Sequence, residues 1–173
     1  MKKSAIKEFP EYFDYYIHLN EDVTLEEAFE KSLHQIDELD IIHLKHIGLQ
    51  VYAEGKWTIP QIIQHLTDWE RIWCYRTIVS VRKEGNIPEA LDQEIMASNS
   101  NANELPIEQL VGELRAVRVA TQALFASFNQ QILETNCRFY NCHMSVLAMG
   151  FNIIGHQLHH FKVIKERYMS LVK

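Results

Sequence analysis

The sequence predicts an all-α protein built as a four-helix bundle. Four stretches carry apolar residues at intervals of three and four, which is the period of an α-helix with one buried face. The chain has only six Gly and four Pro among its 173 residues, too few for a turn-rich β-sandwich or barrel. Its 47% hydrophobic and 23% charged residues are typical of a folded globular protein. We therefore expect a single domain over residues 1–173, with residues 1–21 as an N-terminal extension.

The first predicted helix begins after Thr24. Thr24 and Glu27 have the spacing of a capping box, in which each side chain accepts a hydrogen bond from a free backbone N–H of the other residue. One apolar stripe follows, made of Leu25, Phe29, Leu33 and Ile36. This spacing predicts a helix with one face in the core.

The second predicted helix begins after Thr58 in the same way, with Gln61 three residues later and Pro60 in the first turn. It continues for about 26 residues to a stop signal at Gly85. The next stretch, Asn86–Leu105, is polar and predicts a long loop between helices 2 and 3. Loops of this length are uncommon in compact domains and are often functional.

Pro106 opens the third predicted helix, and Ser145 is positioned to cap the fourth. Between these two helices, Asn141-Cys142 indicates a tight turn joining two short extended pieces. The core stripe of the fourth helix consists of Leu147, Phe151, Ile154, Leu158 and Phe161. Four-helix bundles place metal and ligand sites on the side chains that face one another in the interior.

Charge and composition exclude several classes of function. The net charge of −6 is unfavourable for binding nucleic acid, which requires clustered positive charge. The first ten residues lack the apolar run of a signal peptide, and no stretch approaches the length of a membrane span. The three cysteines, Cys74, Cys137 and Cys142, form no Cys-x-x-Cys pair, which is typical of a reducing compartment. We therefore expect a cytoplasmic protein that binds neither nucleic acid nor membranes.

The nine histidines are the unusual feature of the composition. His156 and His160 are four residues apart, so a helix brings both rings to one face, about 6 Å apart along its axis. Two such imidazoles can reach one transition metal, although the same spacing also occurs on exposed polar faces. His65 lies on the inner face of the second helix and is the natural third ligand, with a hydrogen-bonded core histidine as the alternative. Three protein nitrogens leave a coordination position open, as in catalytic sites.

The sequence evidence that other polar residues belong to this site is weaker. Asp68 lies one turn from His65 and either orients its free ring nitrogen or makes a local salt bridge in solvent. Glu70 and Arg71 are expected in a surface or inter-helix ion pair, and Cys74 is expected to be buried and inert. The remaining histidines are interpreted as structural or solvated, namely His18, His34, His43, His46 and His143.

Two segments resemble the DinB/YfiT-like superfamily of bacterial four-helix-bundle metalloenzymes. Residues 55–58, Gly-Lys-Trp-Thr, look like the turn that leads into the helix with the first His ligand, and residues 155–160, Gly-His-Gln-Leu-His-His, look like the helix with the other two. Residues 116–121 match the third helix. The resemblance covers about residues 22–170. It implies an up-down-down-up bundle, often a homodimer, that holds a divalent metal.

The resemblance also implies a set of ligands and a metal. Carried over one at a time, the ligand positions fall on His65, His156 and His160. The metals it implies are Zn or Ni, with Mn or Fe as further candidates. The sequence departs from the family at Gln157, where members often have Glu, and at Cys142, where Gly is usual in the turn.

Family members suggest the activity to expect. Some resemble thiol S-transferases, which attach a small thiol such as bacillithiol to an electrophile, and others resemble metal-dependent hydrolases. We expect a metal-dependent thiol S-transferase that takes a small-molecule thiol and an electrophilic substrate. The alternatives are a metal-dependent hydrolase, a non-catalytic bundle that binds a metal or small ligand, and a bundle without metal.

The candidate pocket residues are Tyr75, Asn101, Asn103 and His159. No general base is identified. The aromatic residues Tyr12, Phe13, Tyr15 and Tyr16 would suit a homodimer interface.

Overall fold

A computed structural model describes residues 1–172 of the protein. Its helices are α1 Phe13–His18, α2 Leu25–Asp37, α3 Ile41–Ile47, α4 Ile59–Val81, α5 Gln93–Ser98, α6 Ile107–Ala126, α7 Gln130–Leu133 and α8 Val146–Val163. One antiparallel hairpin pairs β1 Asn136–Phe139 with β2 Cys142–Ser145. Short 3₁₀ turns occur at Lys3–Ala5 and Ala102–Glu104, and a π-helical turn, Ile164–Tyr168, continues α8. The predicted all-α class is confirmed, and α2, α4, α6 and α8 are the four helices of the bundle.

Both predicted capping boxes are present and determine where two bundle helices begin. The Thr24 side chain accepts a hydrogen bond from the backbone N–H of Glu27, whose carboxylate accepts one from the Thr24 N–H at 2.8 Å. Thr58 and Gln61 exchange the same pair of bonds at the start of α4. The start of α4 determines the rotational position of every later side chain on it, including His65.

Helices α4 and α6 lie side by side and run in the same direction. The Glu70 carboxylate accepts two hydrogen bonds from Arg118, and one turn further along both helices the Cys74 Sγ lies 3.3 Å from the Thr121 hydroxyl. Residue numbers therefore rise together on the two helices. Consecutive bundle helices that run parallel need a long connection, and residues 82–106 provide it.

Helices α2 and α8 also run parallel to each other. Leu25 packs against the backbone of Gly150, where an added Cβ would lie 2.8 Å from a Leu25 methyl group. Seven residues further along both helices, the Gln157 side-chain amide donates a hydrogen bond to the Ser32 carbonyl oxygen at 2.9 Å. The first and last helices of the bundle thus share one direction.

Helix α2 runs opposite to α6 and completes the topology. Phe29, near the start of α2, packs on Phe125 at the end of α6, whereas Asp37 at the end of α2 pairs with Arg115. Together with the two parallel pairs, this direction gives the up-down-down-up order that the resemblance implied.

The first 21 residues pack onto the bundle. Helix α1 crosses α8, and Ile17 on α1 is completely buried. The two backbones approach so closely at Gly155 that a Cβ there would lie 1.8 Å from the carbonyl oxygen of Tyr16. Of the four aromatic residues expected at a dimer interface, Tyr12 and Tyr15 are exposed, whereas Phe13 and Tyr16 are half-buried.

The polar segment between α4 and α6 contains local structure. Asp92 caps α5 by accepting hydrogen bonds from the backbone N–H groups of Glu94 and Ile95. The Trp57 indole donates to the Glu94 carboxylate at 3.0 Å and ties this short helix to the beginning of α4. Over residues 1–172, no helix has the length and apolar character required to cross a membrane.

Candidate metal centre

Three histidines meet between α4 and α8. His65 and His156 are buried and His160 is half-buried, and their ligand nitrogens all lie within 4.8 Å of one another. The His156 Nε2 is 3.0 Å from the His65 Nε2 and 3.1 Å from the His160 Nε2. The one-turn spacing on α8 and the capped start of α4 together bring the three rings to one point.

Aromatic side chains surround this cluster. The Trp57 ring lies 4.6 Å from the His65 ring, and Trp73 and Tyr16 lie 4.8 and 5.4 Å from the His156 ring. These aromatic walls lower the polarity around the buried rings of His65 and His156, whereas His160 is only half-buried. Electrostatic interactions are strengthened in surroundings of low polarity.

Burial keeps all three imidazoles neutral at physiological pH. It lowers the pKa of His65 to about 3, and it lowers the pKa values of His156 and His160 well below the ordinary value. The neighbouring histidines add a smaller effect in the same direction, because each ring disfavours a second positive charge beside it. Neutral imidazole is the form that binds metals.

The arrangement of nitrogens fits a metal ion better than it fits hydrogen bonds. A neutral imidazole Nε2 has either one proton or one lone pair, so the His156 nitrogen cannot form two good hydrogen bonds with its two neighbours. A tetrahedral ion with metal–nitrogen bonds of about 2.0–2.1 Å holds its nitrogens roughly 3.3–3.4 Å apart. The His156 Nε2 lies 3.0 and 3.1 Å from the other two, which is close to this spacing. The residues present therefore fit a divalent transition metal.

The structure places Asp68 beside neighbours on its own helix. Its carboxylate accepts a hydrogen bond from the Gln64 amide at 2.9 Å and lies 3.8 Å from Arg71. Of the two roles considered for Asp68, these contacts favour the local ion pair over the orientation of His65. Burial raises its pKa, which the Gln64 hydrogen bond and the Arg71 charge partly offset.

Of the four predicted pocket residues, only His159 lies beside the histidine cluster. Its ring is 4.9 Å from that of His160, and its Nδ1 is 3.1 Å from the Tyr15 hydroxyl. Tyr75 is 53% exposed on the outer face of α4. Asn101 is exposed ahead of a 3₁₀ turn, and the Asn103 side chain accepts a hydrogen bond from Thr58. The polar segment folds against the beginning of α4 and so places Asn101 and Asn103 away from the cluster, whereas Tyr75 is away from it because it lies on the outer face of α4.

The remaining histidines have local roles or are exposed. The His18 ring lies 2.7 Å from the Asp14 carbonyl oxygen, the His43 ring lies 3.1 Å from the Met169 carbonyl oxygen, and His34 pairs with Glu38 on the surface. His46 and His143 are exposed. These positions agree with their interpretation as structural or solvated residues.

A cavity of about 260 Å³ reaches His156 from the side of α1 and the hairpin. Its walls include Trp69, Trp73 and Arg76, which were not among the predicted site residues. The sequence spacing could have identified them, because residues 65, 69, 73 and 76 follow one another at intervals of four, four and three. That spacing places them on the same face of α4 as His65.

The cysteines are poor nucleophiles in their observed surroundings. Burial raises the pKa of Cys74 to about 11, and its thiol contacts the Thr121 hydroxyl. Cys142 lines the cavity, and burial also raises its pKa. Both side chains are therefore thiols at neutral pH, which is the unreactive form. Cys74 is half-buried rather than fully buried.

The fold and the site together define a class of protein, a helical bundle with a candidate three-histidine metal centre beside a small cavity. The chain matches the family model of the DinB superfamily over residues 15–164, and it belongs to that superfamily.

Two relatives carry descriptions of their own. A protein of Oceanobacillus iheyensis, named as a candidate metal-dependent hydrolase, is 26% identical over 117 residues, which is 67% of each chain. The structure is also similar to that of YfiT from Bacillus subtilis, described as a probable metal-dependent hydrolase with an unusual four-helix bundle topology. That match has a TM-score of 0.63 and 18% sequence identity, and it covers 92% of this chain and 87% of YfiT. At this identity the likeness establishes the fold alone.

Proposed function

We propose that this protein is a metal-dependent enzyme and that His65, His156 and His160 hold a divalent transition metal. The observation that carries the proposal is the convergence of three neutral imidazole nitrogens, one of which belongs to His156 in the wall of a cavity. We further propose that the reaction is the transfer of a small-molecule thiol to an electrophilic substrate. The predicted cytoplasmic location and homodimer are part of the same proposal.

The chemistry follows from the donor set. A divalent ion held by three imidazoles retains an open coordination position and brings the pKa of a thiol or a water close to neutral. The three histidines would hold the ion, and Trp57, Trp73 and Tyr16 would limit its contact with bulk water. Imidazole accepts both Zn and Ni, so we propose one of these two, with Mn or Fe as further candidates.

A thiol is favoured over water as the nucleophile. Among residues 1–172, the walls of the cavity at His156 include no Asp or Glu that could act as a general base, and the Glu94 carboxylate in a second cavity beside His160 already accepts a hydrogen bond from the Trp57 indole. An ordinary thiol has a pKa of about 8.5 and needs only a small shift to ionise near pH 7, whereas water has a pKa of about 15.7. Hydrolysis is the second candidate, because both relatives described above are named as hydrolases.

Metal analysis tests the ligand assignment. Protein purified without a histidine tag should contain close to one equivalent of a transition metal, and His160→Ala should retain less than about 0.2 equivalents. His159→Ala is the matched control, because His159 is adjacent on α8 but outside the cluster of ligand nitrogens. Equal metal content in the wild type and His160→Ala would contradict the proposed site.

An activity assay tests the reaction. The wild type, loaded with metal, should join a low-molecular-weight thiol to a monochlorobimane-type electrophile, and His65→Ala should lose this turnover. An ester substrate measured in parallel reports hydrolysis. Turnover of the ester alone would replace the transferase proposal with the hydrolase. A metal-loaded protein that turns over neither substrate would favour a non-catalytic binding bundle.

A further inference from the structure

Arg76 is a buried cation in the wall of the cavity. It is only 4% exposed and lies on the same face of α4 as His65, three turns further along. Its guanidinium carbon lies 4.5 Å from the centre of the Phe139 ring and 5.6 Å from that of Trp69. These aromatic rings hold the guanidinium in place and provide part of its stabilisation.

No carboxylate of residues 1–172 forms an ion pair with Arg76. The Arg76 Nη2 donates to the carbonyl oxygen of Glu89 at 3.0 Å, while its Nε is buried without a protein acceptor among residues 1–172. Burial lowers the pKa of Arg76, and Cys142, which opposes this effect only as a thiolate, is a neutral thiol at neutral pH. Buried arginines are normally paired, as Arg118 is with Glu70 in this protein. An unpaired one in a cavity wall indicates that the partner comes from outside the chain.

Two further donors belong to the same wall. The indole Nε1 atoms of Trp69 and Trp73 are buried and have no acceptor in the part of the chain that the structure describes. The guanidinium and the indoles can only donate hydrogen bonds. The lining of residues 1–172 offers no carboxylate that could accept them. The residues of the wall therefore supply apolar surface, one positive charge and side chains with buried, unused donors, and this set is complementary to an apolar molecule with a single negative group.

We propose that Arg76 binds the carboxylate of a small apolar substrate and directs the rest of that substrate toward His156. A carboxylate matches the planar fork of one guanidinium and balances its one charge. The volume of about 260 Å³ is below the range of roughly 300–1,000 Å³ of pockets for drug-sized ligands, so the substrate is small. The binding of the carboxylate by Arg76 is independent of the proposed function. Only the placement of the reactive end of the substrate at the histidine cluster rests on it.

Calorimetry with two matched probes tests the proposal. The wild type should bind 3-phenylpropanoate roughly tenfold or more tightly than the neutral 3-phenylpropanamide. Arg76→Met should bind the two probes with equal affinity, and Arg76→Lys, which keeps the charge but loses the fork, should retain part of the preference. Arg138→Met is the control, because it removes the same charge from an exposed position and should keep the wild-type ratio.

A second experiment tests whether Arg76 or a bound metal ion is the group that binds the carboxylate of the probe. The ratio of affinities is measured again in His160→Ala, together with the metal content of every variant. A preference that persists in His160→Ala and disappears in Arg76→Met supports the proposal, whether or not the wild type contains metal. A preference that persists in Arg76→Met, or a wild type that binds both probes equally or neither of them, overturns it. Metal content alone decides the metal site, so the two proposals can fail separately.

Discussion

The bundle buries two polar clusters between its helices, one around Glu70 and Arg118 and the other made of three histidines. Arg118 donates to both carboxylate oxygens of Glu70 at 2.9 and 2.8 Å and to the hydroxyl of Ser32, and both charged side chains are at most 2% exposed. In the histidine cluster, three nitrogens of the same kind face one another without an opposite charge. Helix α4 contributes to both clusters from different faces.

The difference between the clusters indicates their roles. The ion pair matches donors with acceptors inside the chain, so it connects α2, α4 and α6 and needs nothing further. The histidines present lone pairs that the chain itself does not match. A fully matched polar cluster is thus part of the framework of the bundle, whereas an unmatched one marks the place where a ligand binds.

Breaking the matched cluster should have the largest effect on stability. Arg118→Met leaves the Glu70 carboxylate buried without its partner, and we expect the free energy of unfolding to fall by about 3–5 kcal/mol. Urea unfolding followed by circular dichroism measures the change.

The control for this prediction is an exposed ion pair. Arg115→Met removes the partner of Asp37 on the surface, where solvent screens the charges, and should leave the urea midpoint nearly unchanged. Equal midpoints for Arg118→Met and Arg115→Met would show that the buried pair is not part of the framework.

Binding of a metal ion to the histidine cluster should have a smaller effect on stability, and this effect depends on the metal concentration. A divalent ion present at 100 times its dissociation constant raises the free energy of unfolding by about 2.7 kcal/mol, because it binds only the folded protein. Thermal unfolding with and without added Zn or Ni should show this gain in the wild type and not in His160→Ala. An equal shift in both proteins would mean that the metal binds elsewhere.

The parts of this protein that local sequence rules govern could be predicted from the sequence. The capping boxes at Thr24 and Thr58 depend on contacts over three residues, and the pairing of His156 with His160 depends on one helical turn. His65 could be proposed because α4 is long and regular, so a side chain seven residues from its capped start has a defined direction.

The features that the sequence leaves open, such as the partners and the burial of polar residues, depend on which helices become neighbours. Glu70 was expected in a surface or inter-helix ion pair, and it is buried against Arg118 because α4 and α6 run parallel. Arg71, considered with it, pairs with Glu113 on the surface. Gln157, which replaces the usual Glu, is buried and bonded to the Ser32 carbonyl. No local pattern distinguishes these environments, because each is created by a residue distant in the sequence.

Displacing helix α1, which packs over the histidine cluster, should have the smallest of these effects on stability. Helix α1 carries Tyr16 over His156 and contacts α8 at Gly155, where an added Cβ would lie 1.8 Å from the Tyr16 carbonyl oxygen and 2.4 Å from its carbon. Gly155→Ala must therefore push the α1 backbone away from α8. We expect a loss of about 1–3 kcal/mol in the free energy of unfolding and faster amide hydrogen exchange in α1.

Gly112→Ala separates this steric effect from the general preference of helices for alanine. Gly112 lies on the exposed face of α6 with open space around its Cβ position, so alanine there should stabilise the protein by about 0.5–1 kcal/mol. If Gly155→Ala were stabilising like Gly112→Ala, and exchange in α1 did not change, the close contact between α1 and α8 would not exist in solution. The unmatched cluster would then be open to solvent, and Tyr16 could not be part of the wall that keeps water from His156.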